Sequence, residues 1–226
     1  MKKAVILLLS LLLTMTMCAC RKDEVKNQDS STDDGSYDYS QPEPACPEKP
    51  VIYLYPEEET KVTVQLDFNG KLTHTYPLYN NGWIVTASPD GTLTDENGRE
   101  YYCLFWEGET DSDYDMTQGF VVTGDETRLF LESALAELGL TDKEANEFII
   151  YWLPKMENNP YNLISFQTTA YIDNAKLTVD PTPDTIIRVF MAWKSLNEPI
   201  YIEPQELIAP ERVGFTLVEW GGSEIK

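Results

Sequence analysis

The chain of 226 residues carries 17 Lys+Arg against 38 Asp+Glu, a formal net charge of −21, with one His and four Cys. So acidic a surface repels phosphate backbones and excludes nucleic acid as a partner. The lone His excludes a two-His metal site or an imidazole relay, and the 42% hydrophobic content excludes global disorder.

Lys2 and Lys3 precede an apolar run, residues 4–17, broken only by Ser10, Thr14 and Thr16. As helix such a run rises about 21 Å, short of the roughly 30 Å hydrocarbon core, so it has the size of a secretory h-region rather than a permanent span. Met17, Cys18, Ala19 and Cys20 follow, then the polar Arg21, Lys22, Asp23 and Glu24. This pattern resembles the lipobox of bacterial lipoproteins, in which a small residue precedes a Cys that receives a diacylglyceryl group and becomes the mature N-terminus. Ala19 fits the position before the Cys; Met17 replaces the usual Leu and Cys18 the usual Ala or Ser. The resemblance implies a signal peptide at 1–19, lipidation at Cys20, and the lipid bilayer as a partner at the extracytoplasmic membrane face. Cys18 is disfavoured as the modified residue because bulky Met17 would then precede the cut. Ordinary secretion and an uncleaved anchor are the alternatives. Two acyl chains at about 0.8 kcal/mol per buried CH₂ suffice for stable attachment.

Residues 21–45 hold three basic and seven acidic residues, and their only hydrophobic members are Val25, Tyr37, Tyr39 and Ala45. Such a segment cannot offset its ordering entropy by burial, so 20–45 is expected to be a lipidated N-terminus followed by a disordered acidic linker. As a flexible coil it reaches about 25–30 Å, which keeps the body close to the bilayer. Residues 46–226 are read as one domain with 12 basic and 31 acidic residues, a net −19. A basic partner would be drawn to it in a salt-sensitive way.

Within that domain, 51–55 is apolar on both faces, as a central strand would be, and Pro56 ends it. Residues 61–68 alternate, with Val62, Val64, Leu66 and Phe68 on one side. Asn69 and Gly70 form a strong hairpin signal leading into 71–76. That hairpin would place His74 beside Gln65. Further strands are predicted at 83–87, 91–94 and 99–106. The period then changes: Leu131, Ala134, Leu135 and Leu138 fall on one helical face, with Asp125 as N-cap and Gly139 just past the end. Thr141 and Glu144 make a capping box ahead of Ala145, Phe148, Ile149 and Trp152, and Pro154 is expected to stop the helix. Strands return at 163–171, 176–179, 185–193, 199–202 and 213–220. The pattern predicts an α+β fold, strand-dominated and mostly antiparallel, with an inserted helical hairpin at about 125–152.

The opening KPVIYLYP at 49–56 and the closing RVGFTLVEWGG at 212–222 resemble the bookends of an uncharacterised secreted or lipid-anchored family of Gram-positive bacteria. The resemblance covers nearly the whole domain, agrees with the lipobox, and carries no catalytic residue across.

Four constellations are candidates for chemistry. Cys46 and Cys103 are expected to pair as a disulfide outside the cytoplasm, closing a loop of about 58 residues for roughly 4 kcal/mol; two thiols in a reducing habitat are the alternative. His74 has no G-x-S-x-G elbow to serve, so it reads as a strand His at the surface or half-buried. Asp111, Asp113 and Asp115 have the 1-3-5 spacing of an EF-hand, but Met116 and Val122 stand where Gly and Glu are needed. They remain a loose Ca²⁺ candidate, against a solvated acidic loop, and no other cofactor is expected. Glu107 and Glu219 each adjoin a Trp and could form a glycosidase carboxylate pair. The alternative is core tryptophans at 106 and 220 with a Glu paired to Arg188 or Arg212.

Three functions follow. The first is a non-enzymatic lipoprotein that binds a cell-wall glycan, a basic protein or a cation near the membrane. The second is a carboxylate-based hydrolase acting on a polysaccharide. The third is a Ca²⁺-dependent adhesion module.

Overall fold

The computed structural model describes residues 46–225, so the expected signal peptide, Cys20 and the acidic linker lie outside the described residues. The first half of the body is stranded: β1 (Glu48–Tyr55), β2 (Thr60–Phe68), β3 (Lys71–Tyr76), β4 (Trp83–Ala87), β5 (Leu93–Thr94), β6 (Glu100–Tyr101), β7 (Leu104–Glu109) and β8 (Phe120–Thr123). The helices α1 (Thr127–Glu137) and α2 (Asp142–Met156) follow. After them come β9 (Tyr161–Gln167), the short α3 (Thr169–Asn174), β10 (Ala175–Asp180), β11 (Thr185–Leu196) and β12 (Thr216–Glu224). The fold is the strand-dominated α+β arrangement expected.

The strands form a seven-stranded sheet, ordered β3-β7-β1-β12-β11-β9-β8, and a five-stranded sheet, ordered β10-β2-β4-β5-β6. Every pairing is antiparallel except β11 with β12, which runs parallel from Thr185↔Thr216 to Trp193↔Glu224. One apolar layer lies between the sheets and includes Ile52, Leu54, Val62, Val64, Trp83, Leu104, Trp106, Phe190 and Leu217. A second lies between the larger sheet and the helical hairpin and includes Val51, Tyr53, Leu131, Phe148, Trp152, Val189, Met191, Val218 and Trp220. Successive strand residues face opposite sides, so a sheet covered on both faces needs strands apolar at every position. That is why β1 reads as an unbroken apolar run. Each large side chain so buried contributes about 1.5–3 kcal/mol.

The helical hairpin forms as its pattern requires. Gly139, at φ +85°, takes the left-handed turn after α1, and Thr141 with Glu144 makes the capping box of α2. The N-cap of α1 is Glu126, without a side-chain cap bond, rather than Asp125. Pro154 lies inside the last turn of α2, and the helix continues to Met156, which is fully buried one turn after Trp152.

Three other expectations are corrected. The chain at Asn69 and Gly70 is not a hairpin. It passes from one sheet to the other, because β2 pairs with β10 and β4 whereas β3 pairs with β7. Asn69 N–H donates to the Asn174 carbonyl, and a Cβ on Gly70 would sit 2.3 Å from the Glu109 carbonyl oxygen. The predicted strand 99–106 is two strands, β6 in one sheet and β7 in the other, broken at Tyr102 and Cys103. Residues 199–202 form no strand; Gln205 instead uses its side-chain amide as a strand edge, accepting from Phe166 N–H at 2.8 Å and donating to the Phe166 carbonyl at 2.9 Å.

Candidate functional site

Glu219 on β12 and Arg188 on β11 stand opposite each other in the parallel register. Both side chains point into the layer between the sheets. Arg188 Nε donates to Glu219 Oε2 at 2.6 Å, and Trp106 Nε1 donates to Glu219 Oε1 at 3.1 Å. The carboxylate is fully buried and the Arg188 side chain 5% exposed. The guanidinium also lies 4.8 Å over the Tyr171 ring. A charge taken out of water is tolerated when it is paired and hydrogen-bonded, and Glu219 meets both conditions without facing solvent.

Glu107 on β7 faces the other way. Its neighbours Trp106 and Gly108 turn toward the inter-sheet layer, so alternation puts Glu107 on the opposite face. There it accepts from the Lys49 backbone N–H at 3.2 Å and lies 3.6 Å from His74 Nδ1, its register partner on β3. A glycosidase needs two carboxyl groups about 5–9.5 Å apart across one cleft. A sheet separates these two, so Glu107 and Glu219 are not a catalytic pair. His74 consequently sits beside Glu107, not Gln65. All five tryptophans are at most 2% exposed, which removes them as open sugar platforms.

Asp111, Asp113 and Asp115 are exposed, and Asp115 turns its Oδ1 onto the Thr117 N–H and hydroxyl. Among the described residues no group of three or more His, Cys, Asp or Glu converges as a metal site requires. The 1-3-5 spacing therefore does not become a Ca²⁺ cradle, because the loop directs the carboxylates outward. Cys46 and Cys103 are not joined by a disulfide. Cys103 belongs to the layer beneath the helices. Burial, together with the nearby Glu147 charge, pushes the Cys103 thiol up to about 12.

A groove of about 770 Å³ opens on the outer face of the five-stranded sheet. Its floor is Ile84, Thr86 and Thr94, outward members of β4 and β5. One wall is the loop 77–82. Tyr79 anchors this loop: its hydroxyl donates to the Leu66 carbonyl at 3.1 Å and accepts from Leu66 N–H at 3.0 Å. The Tyr79 ring meets Trp83 edge-on at 4.6 Å, and Trp83 Nε1 donates to the Pro77 carbonyl at 2.8 Å. With these aromatics turned inward, Leu78 is left 81% exposed, and Ile84 on the floor is 58% exposed.

The facing wall is the turn at 95–98. Asp95 Oδ1 accepts from the Asn97 and Arg99 backbone N–H groups, and Oδ2 accepts from the Tyr101 hydroxyl at 3.0 Å. These bonds, the Arg99 N–H foremost, hold the Asp95 carboxyl below the usual carboxylate range. The Tyr101 side chain points, with its register partner Leu93, toward the layer between the sheets, where the Tyr76 ring at 5.5 Å and the Arg99 guanidinium at 5.7 Å fix it. Sequence reasoning read 95–98 only as a turn. The usable signal was Ile84, a large apolar residue on the outward phase of an alternating strand.

No family model matches the chain, and no solved structure matches it. A protein of Butyrivibrio fibrisolvens described as "Uncharacterized protein in bglA 3'region" is 52% identical to this chain over 64 residues, which is 27% of the chain and 66% of that protein. The chain therefore spans just under two thirds of the length of the curated relative it matches.

Proposed function

We propose that this chain is an extracytoplasmic lipoprotein, anchored in the membrane by acylated Cys20, whose body binds a partner without catalysis. The observation that carries the reading is the N-terminal order of Lys2 and Lys3, the apolar run, Ala19, Cys20 and an acidic spacer. No helix among the described residues is long and apolar enough to cross a membrane. The separation of Glu107 from Glu219 withdraws support from the hydrolase alternative, and the outward carboxylates of Asp111, Asp113 and Asp115 withdraw it from the Ca²⁺ module. The groove between 77–82 and 95–98 supports a binding role, being open, preformed and lined by both apolar and polar groups.

The test is to express the full chain in a bacterium that processes lipoproteins, feed an alkyne-bearing fatty acid, and measure label, intact mass and membrane fractionation. The expected product starts at Cys20, carries the label and stays with the membrane, while Cys20→Ser abolishes the label and frees the protein. An unlabelled wild-type chain with a bare Cys20 thiol would falsify the anchor.

A further inference from the structure

An asparagine followed by glycine is open to attack by its own chain, because glycine has no Cβ to shield the nucleophilic nitrogen. The sequence has three such pairs, Asn69–Gly70, Asn81–Gly82 and Asn97–Gly98, and all three asparagines are exposed. Exposure therefore does not choose among them; the bonding of each glycine nitrogen does. We infer that Asn81 is a site of spontaneous deamidation in the folded protein, with the Gly82 backbone nitrogen as nucleophile and water as co-reactant. The other two pairs are protected.

Attack requires the glycine N–H to lose its proton and swing toward Cγ of the preceding asparagine, so any hydrogen bond it donates must first break. Gly70 N–H donates to the Phe68 carbonyl at 2.9 Å, and Asn69 N–H to the Asn174 carbonyl at 2.8 Å. Gly70 is also wedged against the Glu109 carbonyl. Gly98 N–H donates to the Asp95 carbonyl at 3.0 Å. The Asp95 carboxylate holds the Asn97 and Arg99 N–H groups at 2.8 and 3.0 Å, and it opposes the negative charge that builds on the attacking nitrogen.

Gly82 differs on each count. The β2–β4 ladder ends at Val64↔Trp83, and among the described residues the Gly82 N–H has no hydrogen-bond partner. Asn81 likewise makes no hydrogen bond among the described residues. A Cβ on Gly82 would meet Gln65 and Val64 at 3.4 Å, an ordinary contact, so nothing wedges it. Asn81 holds a left-handed φ of +58°, a conformation unfavourable for an L residue, so rotating toward the attack geometry gives up little. Residues 77–82 carry no charged side chain.

The Gly82 nitrogen bonds to Asn81 Cγ as the Cγ–Nδ2 bond breaks. Nδ2 leaves as ammonia, taking up the proton that the Gly82 nitrogen lost, and a succinimide remains. Water then adds at one of the two ring carbonyls and the C–N bond there breaks. Opening at Cγ restores the backbone with an aspartyl side chain; opening at the Asn81 carbonyl carbon gives an isoaspartyl link. Either product puts a carboxylate beside Asn80 and Gly82 on the groove wall, so the groove becomes more acidic as the molecule ages.

The experiment incubates the detergent-solubilised full chain in mildly alkaline buffer, folded in one arm and unfolded in urea in the other. Circular dichroism before and after shows that the first arm stays folded. Peptides are read by mass spectrometry with electron-transfer fragmentation, which distinguishes aspartyl from isoaspartyl products. In the folded arm the amide-to-acid mass gain is expected at position 81 about ten-fold faster than at 69 or 97, with isoaspartyl present. In urea, where the protecting hydrogen bonds are gone, the three rates are expected to converge. None of this requires Cys20 to be acylated, so failure here is separable from failure of the anchor. The inference is overturned by no gain at 81, by an equal gain at 69 or 97 in the folded arm, by a gain without isoaspartyl, or by a preference for 81 that persists unchanged in urea.

Discussion

Glu219 gains its character from two neighbours. On β12 it meets the Arg188 guanidinium at 2.6 Å and the Trp106 indole at 3.1 Å, with its carboxylate fully buried. Removing one member of such a pair leaves the other charge buried and uncompensated, which costs about 3–5 kcal/mol, whereas replacing both by apolar groups of similar volume costs far less. Glu219→Leu is therefore expected to lower the unfolding free energy by about that amount, and the double variant Arg188→Met/Glu219→Leu to recover most of the loss. Urea unfolding of the two variants measures the difference; a single variant within about 1 kcal/mol of wild type would contradict the buried pairing. The possibility of an Arg188–Glu219 pair was visible in the sequence. Its position between the sheets was not, since strand phase says which residues share a face but not which face is inside.

The helical hairpin was the most legible element. A capping box and a left-handed Gly139 are local devices, needing only residues within one turn of each other. Thr141→Ala should cost about 1 kcal/mol, since it deprives the Glu144 N–H of its acceptor at the start of α2. Scanning calorimetry would show the drop as a lower melting temperature, and an unchanged value would mean that α2 is held by its packing alone. Glu144 itself is expected to be more sensitive, because it also holds Arg212, whose guanidinium donates to the Gly139 carbonyl at 2.8 Å.

Strands were legible singly but not in their partners. The Asn69 and Gly70 signal is that of a tight hairpin, yet Gly70 serves close approach to the Glu109 carbonyl as the chain changes sheets. The run at 99–106 looked like one strand because residues on both sides of Tyr102 suit a pleat. It splits because Tyr101 belongs to the five-stranded sheet while Leu104 and Trp106 fill the layer between the sheets. Strand 163–171 was overextended for a related reason: α3 turns Tyr171 back to stack on Phe190 at 4.2 Å.

At the scale of the whole molecule, burial makes the fold sensitive to alkali. Cys103 is pushed up to about 12 by burial first and by Glu147 second, and burial also raises Tyr53, Tyr55 and Tyr114 above the ordinary phenol. The unfolded chain releases these protons near about 8.5 for the thiol and about 10 for the phenols. The folded chain still holds them there, so a rise in pH favours unfolding. The stability they confer is full below about pH 8.5 and is lost progressively toward pH 12. Urea midpoints taken at intervals from pH 7 to 11 are expected to fall above pH 9; a flat profile would refute this account of the thiol and phenols. The sequence by itself determined the acidic charge, the N-terminal pattern ending at Cys20, the alternation of the strands, and the caps of α2. Each of these is a property of composition or of residues a few positions apart. The tertiary structure alone decided that β2 and β3 part into different sheets, that Glu107 and Glu219 do not meet, and that the loop 77–82 and the turn after β5 line one groove. Those outcomes depend on which apolar face is buried against which other, a choice made by the packing of the whole chain and not by any local stretch of it.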